Sequence, residues 1–203
     1  MIDRIAIDPR VRSAALDARI TALIAEGWEI FERFDTDVRQ KAFHPFVAAD
    51  YDRVLAALEP LAAPGVRFIE WGSASGVITI MASMLGFEAY GIELDPALVR
   101  VARKLAEKFH STAVFAEGSF VPQGYRWRPS TGDGRLGTIG DGPSAYPLIG
   151  HPLDDFSVVY GYPWGGEEPM MLDLMRSYGR RGARLLMHGD GGVRSFVDGR
   201  SIG

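Results

Sequence analysis

Apolar residues recur along the first third of the chain in steps of three and four. Leu16, Ile20, Leu23 and Ile24 fall on one face of a helix that the pattern starts near Val11. Gly27 is expected to interrupt it. Trp28, Ile30, Phe31 and Phe34 then follow as packing aromatics, and the polar run from Asp35 to Lys41 comes next. Phe43-His44-Pro45-Phe46 reads as a break, and a further helix is predicted from about Val47 to Leu58 with Val54, Leu55 and Leu58 inward. Met1 to Arg10 reads as an irregular arm or a short strand.

The pattern then changes. Val66, Phe68 and Ile69 make a short apolar strand, opened by Pro64 and Gly65 and closed by Glu70. Gly72 and Gly76 follow, with small Ser73, Ala74 and Ser75 between them. Val77 to Leu85 is an apolar helix that stops at Gly86. Phe87 to Ile92 is a second strand ending at Glu93. Asp95 and Pro96 then combine a cap residue with proline at the first helical position.

The rest repeats this alternation. Ala97 to Phe109 is an amphipathic helix with Leu98, Val101, Ala102 and Leu105 inside and a solvated face of Arg100, Arg103, Lys104 and Lys108. Ala113 to Ala116 is a third strand, followed by Glu117-Gly118-Ser119-Phe120. Residues 123–154 are rich in Gly and Pro, with turn signals at Asp133-Gly134 and Asp141-Gly142. This long loop insertion is expected to cross the cleft, with a small hairpin near Arg135 to Ile139. Its Tyr125, Arg126, Trp127 and Arg128 could stack on a base or bind an acid. Phe156 to Gly161 is a fourth strand, Glu167 to Tyr178 a Met-rich helix, and Ala183 to Met187 a fifth strand leading into His188-Gly189-Asp190. The residues after Gly191 leave room for at most one more short strand, near Val193 to Val197.

Three glycine motifs compete at residues 70–77, and spacing separates them. Ala74 and Val77 stand where a dinucleotide fingerprint needs its second and third Gly. No Gly-Lys-Ser/Thr triplet exists for a P-loop. Ala74 also stands where a hydrolase elbow needs Ser. What remains is E-x-G-x-x-x-G with an acidic residue seventeen positions after the last Gly.

That pattern resembles motif I and the following acidic position of the class I S-adenosylmethionine-dependent methyltransferases. The resemblance covers Pro64 to Pro122 well and the chain up to Gly189 by order of elements. It implies an α/β, doubly wound, mainly parallel Rossmann-like sheet of order 3-2-1-4-5, with N-terminal helices and a truncated C-terminal edge. It implies a helical extension over residues 1–62 and a cofactor domain over residues 63–203. Glu70 would sit near the methionine amino group, Gly72 and Gly76 would form the turn under the cofactor, and Glu93 would hold the ribose hydroxyls. Ala74 departs from the Gly that many members carry. Ser73, Leu94, Gly118 and Tyr160 complete the implied cofactor set, with Ser119 or Glu117 beside the adenine amino group. The position after the fourth strand borders the transferred methyl group. In amino-methylating members it is often Asn/Asp-Pro-Pro-Tyr; here Gly161-Tyr162-Pro163-Trp164 puts Tyr162 in place of the amide or acid. Tyr162 and His188 are the candidate catalytic residues, Tyr162 as a polar wall, weak base or cation-π partner and His188 as an acid/base group. A second reading is a non-catalytic cofactor- or partner-binding protein of the same fold.

Composition narrows the partners. The chain has 203 residues, 47% of them hydrophobic, a formal net charge of −4 and no Cys. Thiolate metal sites and Cys nucleophiles are therefore excluded. The acid balance gives no support for a broad nucleic-acid surface, so the expected acceptor is a small molecule or a protein. Tyr162 stands where metal-dependent methylation would place an acidic ligand, and His44, His110, His151 and His188 lack a ligand spacing, so no metal is expected. No apolar run approaches bilayer length and the N-terminus lacks a signal core, which makes cytoplasmic the default expectation. Oligomeric state is not legible.

Overall fold

The computed structural model describes residues 12–40, 46–126, 142–164 and 166–202. The expected N-terminal arm, the break at Phe43 to Pro45, the hairpin at Arg135 to Ile139, and Trp127 and Arg128 lie outside the described residues.

Helix α1 runs from Ala14 to Phe34, capped by Ser13, whose Oγ accepts from Leu16 N. It continues into a π-helical turn over Asp35–Arg39. Gly27 does not interrupt α1, because it serves a close approach instead. A Cβ at Gly27 would lie 2.7 Å from Val77 Cγ2 and 3.4 Å from the Tyr51 ring. The missing side chain lets α1 lie against its neighbours, and that packing outweighs the helix propensity that Gly forfeits. Trp28 packs edge-on to Tyr51, and Phe31 and Phe34 pack edge-on to Phe46.

Helix α2 spans Tyr51–Leu58, shorter than the sequence pattern suggests. Asp50 fixes its start, since Oδ1 accepts from Arg53 N and an Asp cap satisfies an amide that has no partner within the helix. Residues 46–49 are therefore left outside the helix. The alternating units then follow: β1 (Arg67–Trp71), α3 (Val77–Met84), β2 (Glu88–Glu93), α4 (Pro96–Lys108) and β3 (Val114–Glu117). A short α5 (Tyr146–Ile149) precedes β4 (Val158–Gly161), α6 (Glu168–Tyr178) and β5 (Arg184–Gly189). Two more strands, β6 (Gly192–Val197) and β7 (Arg200–Ser201), complete the element order.

The sheet order is β3-β2-β1-β4-β5-β6-β7. The first five strands are parallel, and β1 lies between β2 and β4, where the order reverses. The sheet does not stop at one extra short strand, because two hairpins extend it antiparallel. A parallel neighbour needs a crossover of a dozen residues or so, whereas a hairpin needs a loop of about two. Asp190-Gly191 and Asp198-Gly199 are such loops. Asp198 and Gly199 both have positive φ, +49° and +71°, as that turn requires.

Each strand sends alternate side chains to two cores. Phe68, Tyr160 and Leu186 face the side covered by α1 to α4, where Leu23, Val54, Ile80 and Met81 are fully buried. Ile69, Trp71, Val159 and Met187 face α5 and α6, where Tyr146, Met170, Met171 and Leu174 close the second core. Trp71 Nε1 donates to Tyr146 Oη at 3.0 Å, so the indole of β1 is satisfied inside that core.

Candidate cofactor and acceptor site

The period-two rule puts Glu70 and Tyr160 side by side. They are register partners on β1 and β4, and both face α2 and α3. Directly after β1 the chain turns through Gly72 (φ +73°), Ala74 (φ +45°) and Gly76 (φ +82°) before entering α3. Left-handed backbone is what Gly tolerates, so Ala74 carries local strain. The turn is pinned by backbone bonds from Ser73 N to Ile92 O at 2.8 Å and from Gly76 N to Ser73 O at 2.7 Å. Gly76 is buried, and a Cβ there would meet the Phe115 ring at 2.7 Å and Ala102 Cβ at 2.8 Å. It supports the turn from beneath.

A cleft opens beside this turn. Glu70, Gly72, Ser73, Ala74, Tyr160 and Tyr162 line it from the sheet side, and residues 46–49 with Tyr51 line it from the other. Two buried polar atoms of these residues, Ser73 Oγ and Tyr160 Oη, have no hydrogen-bond partner among the described residues. Buried hydroxyls are rarely left unsatisfied, so these two atoms call for a polar partner in the cleft, an ordered water or a polar group of a ligand.

Glu70 is 4% exposed, and its Oε2 accepts from Thr79 N at 3.0 Å and Thr79 Oγ1 at 2.5 Å. Burial dominates its chemistry and pushes its carboxyl up to about 8, against the opposing pull of the Thr79 bonds. The folded protein thus holds this proton more tightly than the unfolded chain does. Stability from this group is full below the ordinary carboxylate range and is lost as pH rises through about 8. The expected loss is about 1.4 kcal/mol per pH unit within that window. Glu70→Gln, a permanently neutral isostere, is expected to flatten this dependence and to raise Tm at pH 8. Parallel Tm–pH profiles for the two proteins would contradict the buried neutral acid.

Glu93 ends β2 on the far side of the turn. Its Oε2 accepts from Ala74 N at 2.8 Å and its Oε1 from Asp95 N at 2.9 Å. The carboxylate therefore clamps the strained turn to the start of α4. Burial raises its pKa, opposed by the backbone N–H groups of Asp95, Ala74 and Leu94. Gly118 N donates to Glu93 O at 2.9 Å, which brings the end of β3 alongside. Ser119 is buried, and its Oγ accepts from Val121 N at 3.1 Å. Its backbone pairs with residues 143–145, so the returning end of the insertion lies against Gly118 and Ser119. Gly142 sits close to Leu94, whose Cδ2 a Cβ at Gly142 would meet at 3.0 Å. Glu117 is exposed.

Tyr162 follows β4, 37% exposed, with its ring 4.6 Å from that of His188 on β5. His188 is buried, and its Nδ1 has no hydrogen-bond partner among the described residues. Burial lowers its proton affinity, Arg53 lowers it further, and Asp50 opposes both. Tyr162 and His188 thus meet at the rim of the cleft that Glu70 and the turn occupy. Among the described residues no group of three His, Asp or Glu side chains is placed to hold a metal ion. Nor is any described helix long and apolar enough to cross a membrane.

No family model matches the chain. A ribosomal protein L11 methyltransferase from Ralstonia pickettii is 38% identical over 68 residues, which are 33% of this chain and 23% of that protein. The chain thus matches about a quarter of that relative's length. The parallel part of the sheet has the strand order, β3-β2-β1-β4-β5, that the resemblance to the class I S-adenosylmethionine-dependent methyltransferases implied. Among solved structures, an RNA methyltransferase from Salinibacter ruber in complex with S-adenosyl-L-homocysteine aligns with a TM-score of 0.47 and 19% identity, covering 70% of this chain and 76% of that one. A precorrin-6y C5,15-methyltransferase from Geobacter metallireducens aligns with a TM-score of 0.48 and 16% identity, covering 72% and 65%.

Several residues at this cleft escape a reading of sequence alone. Thr79 is the polar exception in the apolar run of α3, and that exception is its signal. Tyr51 shares the inward spacing of Val54, Leu55 and Leu58, so periodicity could have found it. Glu167 is 2% exposed and its Oε2 accepts from Trp164 N at 2.9 Å, closing the loop that carries Tyr162. Nothing in the sequence distinguishes it from an ordinary helix-start acid.

Proposed function

We propose that this protein is an S-adenosylmethionine-dependent methyltransferase acting on a small-molecule or protein acceptor. The observation that carries the reading is the pairing of Glu70 with Tyr160 across β1 and β4, beside a left-handed turn at the reversal of the strand order. In doubly wound sheets ligands bind at that reversal, outside the carboxyl ends of the strands.

When bound, the cofactor supplies an activated methyl group on a sulfonium. Glu70 and the Tyr160 hydroxyl hold its amino-acid end, and Gly72, Ser73 and Ala74 allow its close approach to the backbone, with Gly76 buried beneath. Glu93 takes the ribose, Leu94 borders the base, and Gly118 and Ser119 close that side. Tyr162 walls the acceptor and limits water. His188, neutral because it is buried, accepts the proton that an acceptor N–H or O–H must lose. The main work of the chain is positioning, since the displacement is a single step.

A thermal-shift comparison with S-adenosylmethionine, S-adenosylhomocysteine, NAD and NADP tests this reading. The two adenosyl ligands are expected to raise Tm by mass action and the two nicotinamide ligands are not. A rise with NAD or NADP alone would sink it.

A further inference from the structure

Among the described residues, Glu70 is a buried acid without a cation. The titratable groups that face it are Glu93 at the end of β2, Tyr51 on α2 and Tyr160 on β4, and none of these carries positive charge. From α3 it receives the Thr79 amide and hydroxyl. An ionised carboxylate in this place would lack a counter-charge among the described residues, which is costly in a buried site. The neutral acid avoids that cost and still accepts both Thr79 bonds. The same side chain lines the ligand cleft, so a cation delivered there reverses the preference.

We propose that Glu70 is protonated in the ligand-free protein and gives up its proton when the ammonium end of the cofactor or its product docks beside it. The inference rests on the cofactor reading above. The O–H bond of the carboxyl breaks, the proton passes to solvent, and a carboxylate–ammonium pair replaces the neutral acid. The site then selects a cationic ligand end, and affinity rises with pH until Glu70 is ionised in the free protein, near pH 8.

Calorimetric titration of the full chain with S-adenosylhomocysteine at neutral pH, in phosphate and in Tris, reads the released proton from the difference in heat. The expected result is release of close to one proton per ligand. Affinity should tighten by roughly tenfold per pH unit from about pH 6 to 8 and level off above. 5′-Methylthioadenosine, which keeps the base and ribose but lacks the amino acid, should release almost none. That arm also separates Glu70 from Glu93, whose titration on the ribose side would respond to either ligand. Glu70→Gln should bind S-adenosylhomocysteine with no buffer-dependent heat. Tight binding to the wild type without proton release overturns the proposal, as does equal release with both ligands. Failure of both ligands to bind at any pH would overturn the cofactor reading itself.

Discussion

Glu93→Ala is expected to weaken S-adenosylhomocysteine binding roughly tenfold to hundredfold, the equivalent of about 1.5–3 kcal/mol for lost charge-assisted hydrogen bonds. The effect has two sources. The carboxylate is the proposed acceptor for the ribose hydroxyls. It also accepts from Ala74 N and Asp95 N, so its loss frees two amides and loosens a turn already strained at Ala74. Glu93→Gln separates the two, because it keeps the length and one acceptor oxygen while losing the charge. Calorimetry on the folded variants, with Tm measured beside it, decides. Lower Tm with unchanged affinity in both variants would make Glu93 a clamp for the turn and nothing more.

Tyr162→Ala is expected to leave cofactor affinity within a few-fold while lowering methyl transfer by on the order of a hundredfold or more. Tyr162 is held between the end of β4 and the His188 ring at 4.6 Å, and Pro163 stiffens the chain behind it. Removing the ring opens the rim of the cleft to water and frees His188 from its packing partner. Tyr162→Phe then assigns the role. Retained turnover marks a wall or a cation-π partner, and lost turnover marks the hydroxyl. The measurement is single-turnover transfer from labelled cofactor to an acceptor found by screening, beside a binding titration. Equal turnover in wild type and Tyr162→Ala would remove this residue from the site.

The half of the fold that carries the cleft is the half most legible in the chain. Strands β1 and β2 read as short apolar runs closed by Glu70 and Glu93, and Asp95-Pro96 marks the start of α4 by residue type alone. Local chemistry decides these points, so local sequence reveals them. The residues that escape are decided by distant neighbours. Gly27 looks like a helix breaker until Val77 is placed 2.7 Å from its missing Cβ. Glu93 looks like a free ligand group, yet its oxygens accept from two amides, one of them nineteen residues earlier. The docking of residues 143–145 on Gly118 and Ser119 has no periodic signal, because it is a meeting of two loops. The last two strands are more recoverable. Asp198-Gly199 is a strong hairpin signal, and a hairpin needs far less chain than the helical crossover that a further parallel strand requires.

A crystal structure of the complex with S-adenosylhomocysteine would show directly whether the Glu70 cleft is the cofactor site. The ligand is expected across residues 72–76, with ribose hydroxyls in hydrogen-bond reach of Glu93, the amino group beside Glu70 and the sulfur directed toward Tyr162. Ligand bound elsewhere, for example in the cavity between Tyr146 and Tyr178, with the Glu70 cleft unchanged, would contradict it.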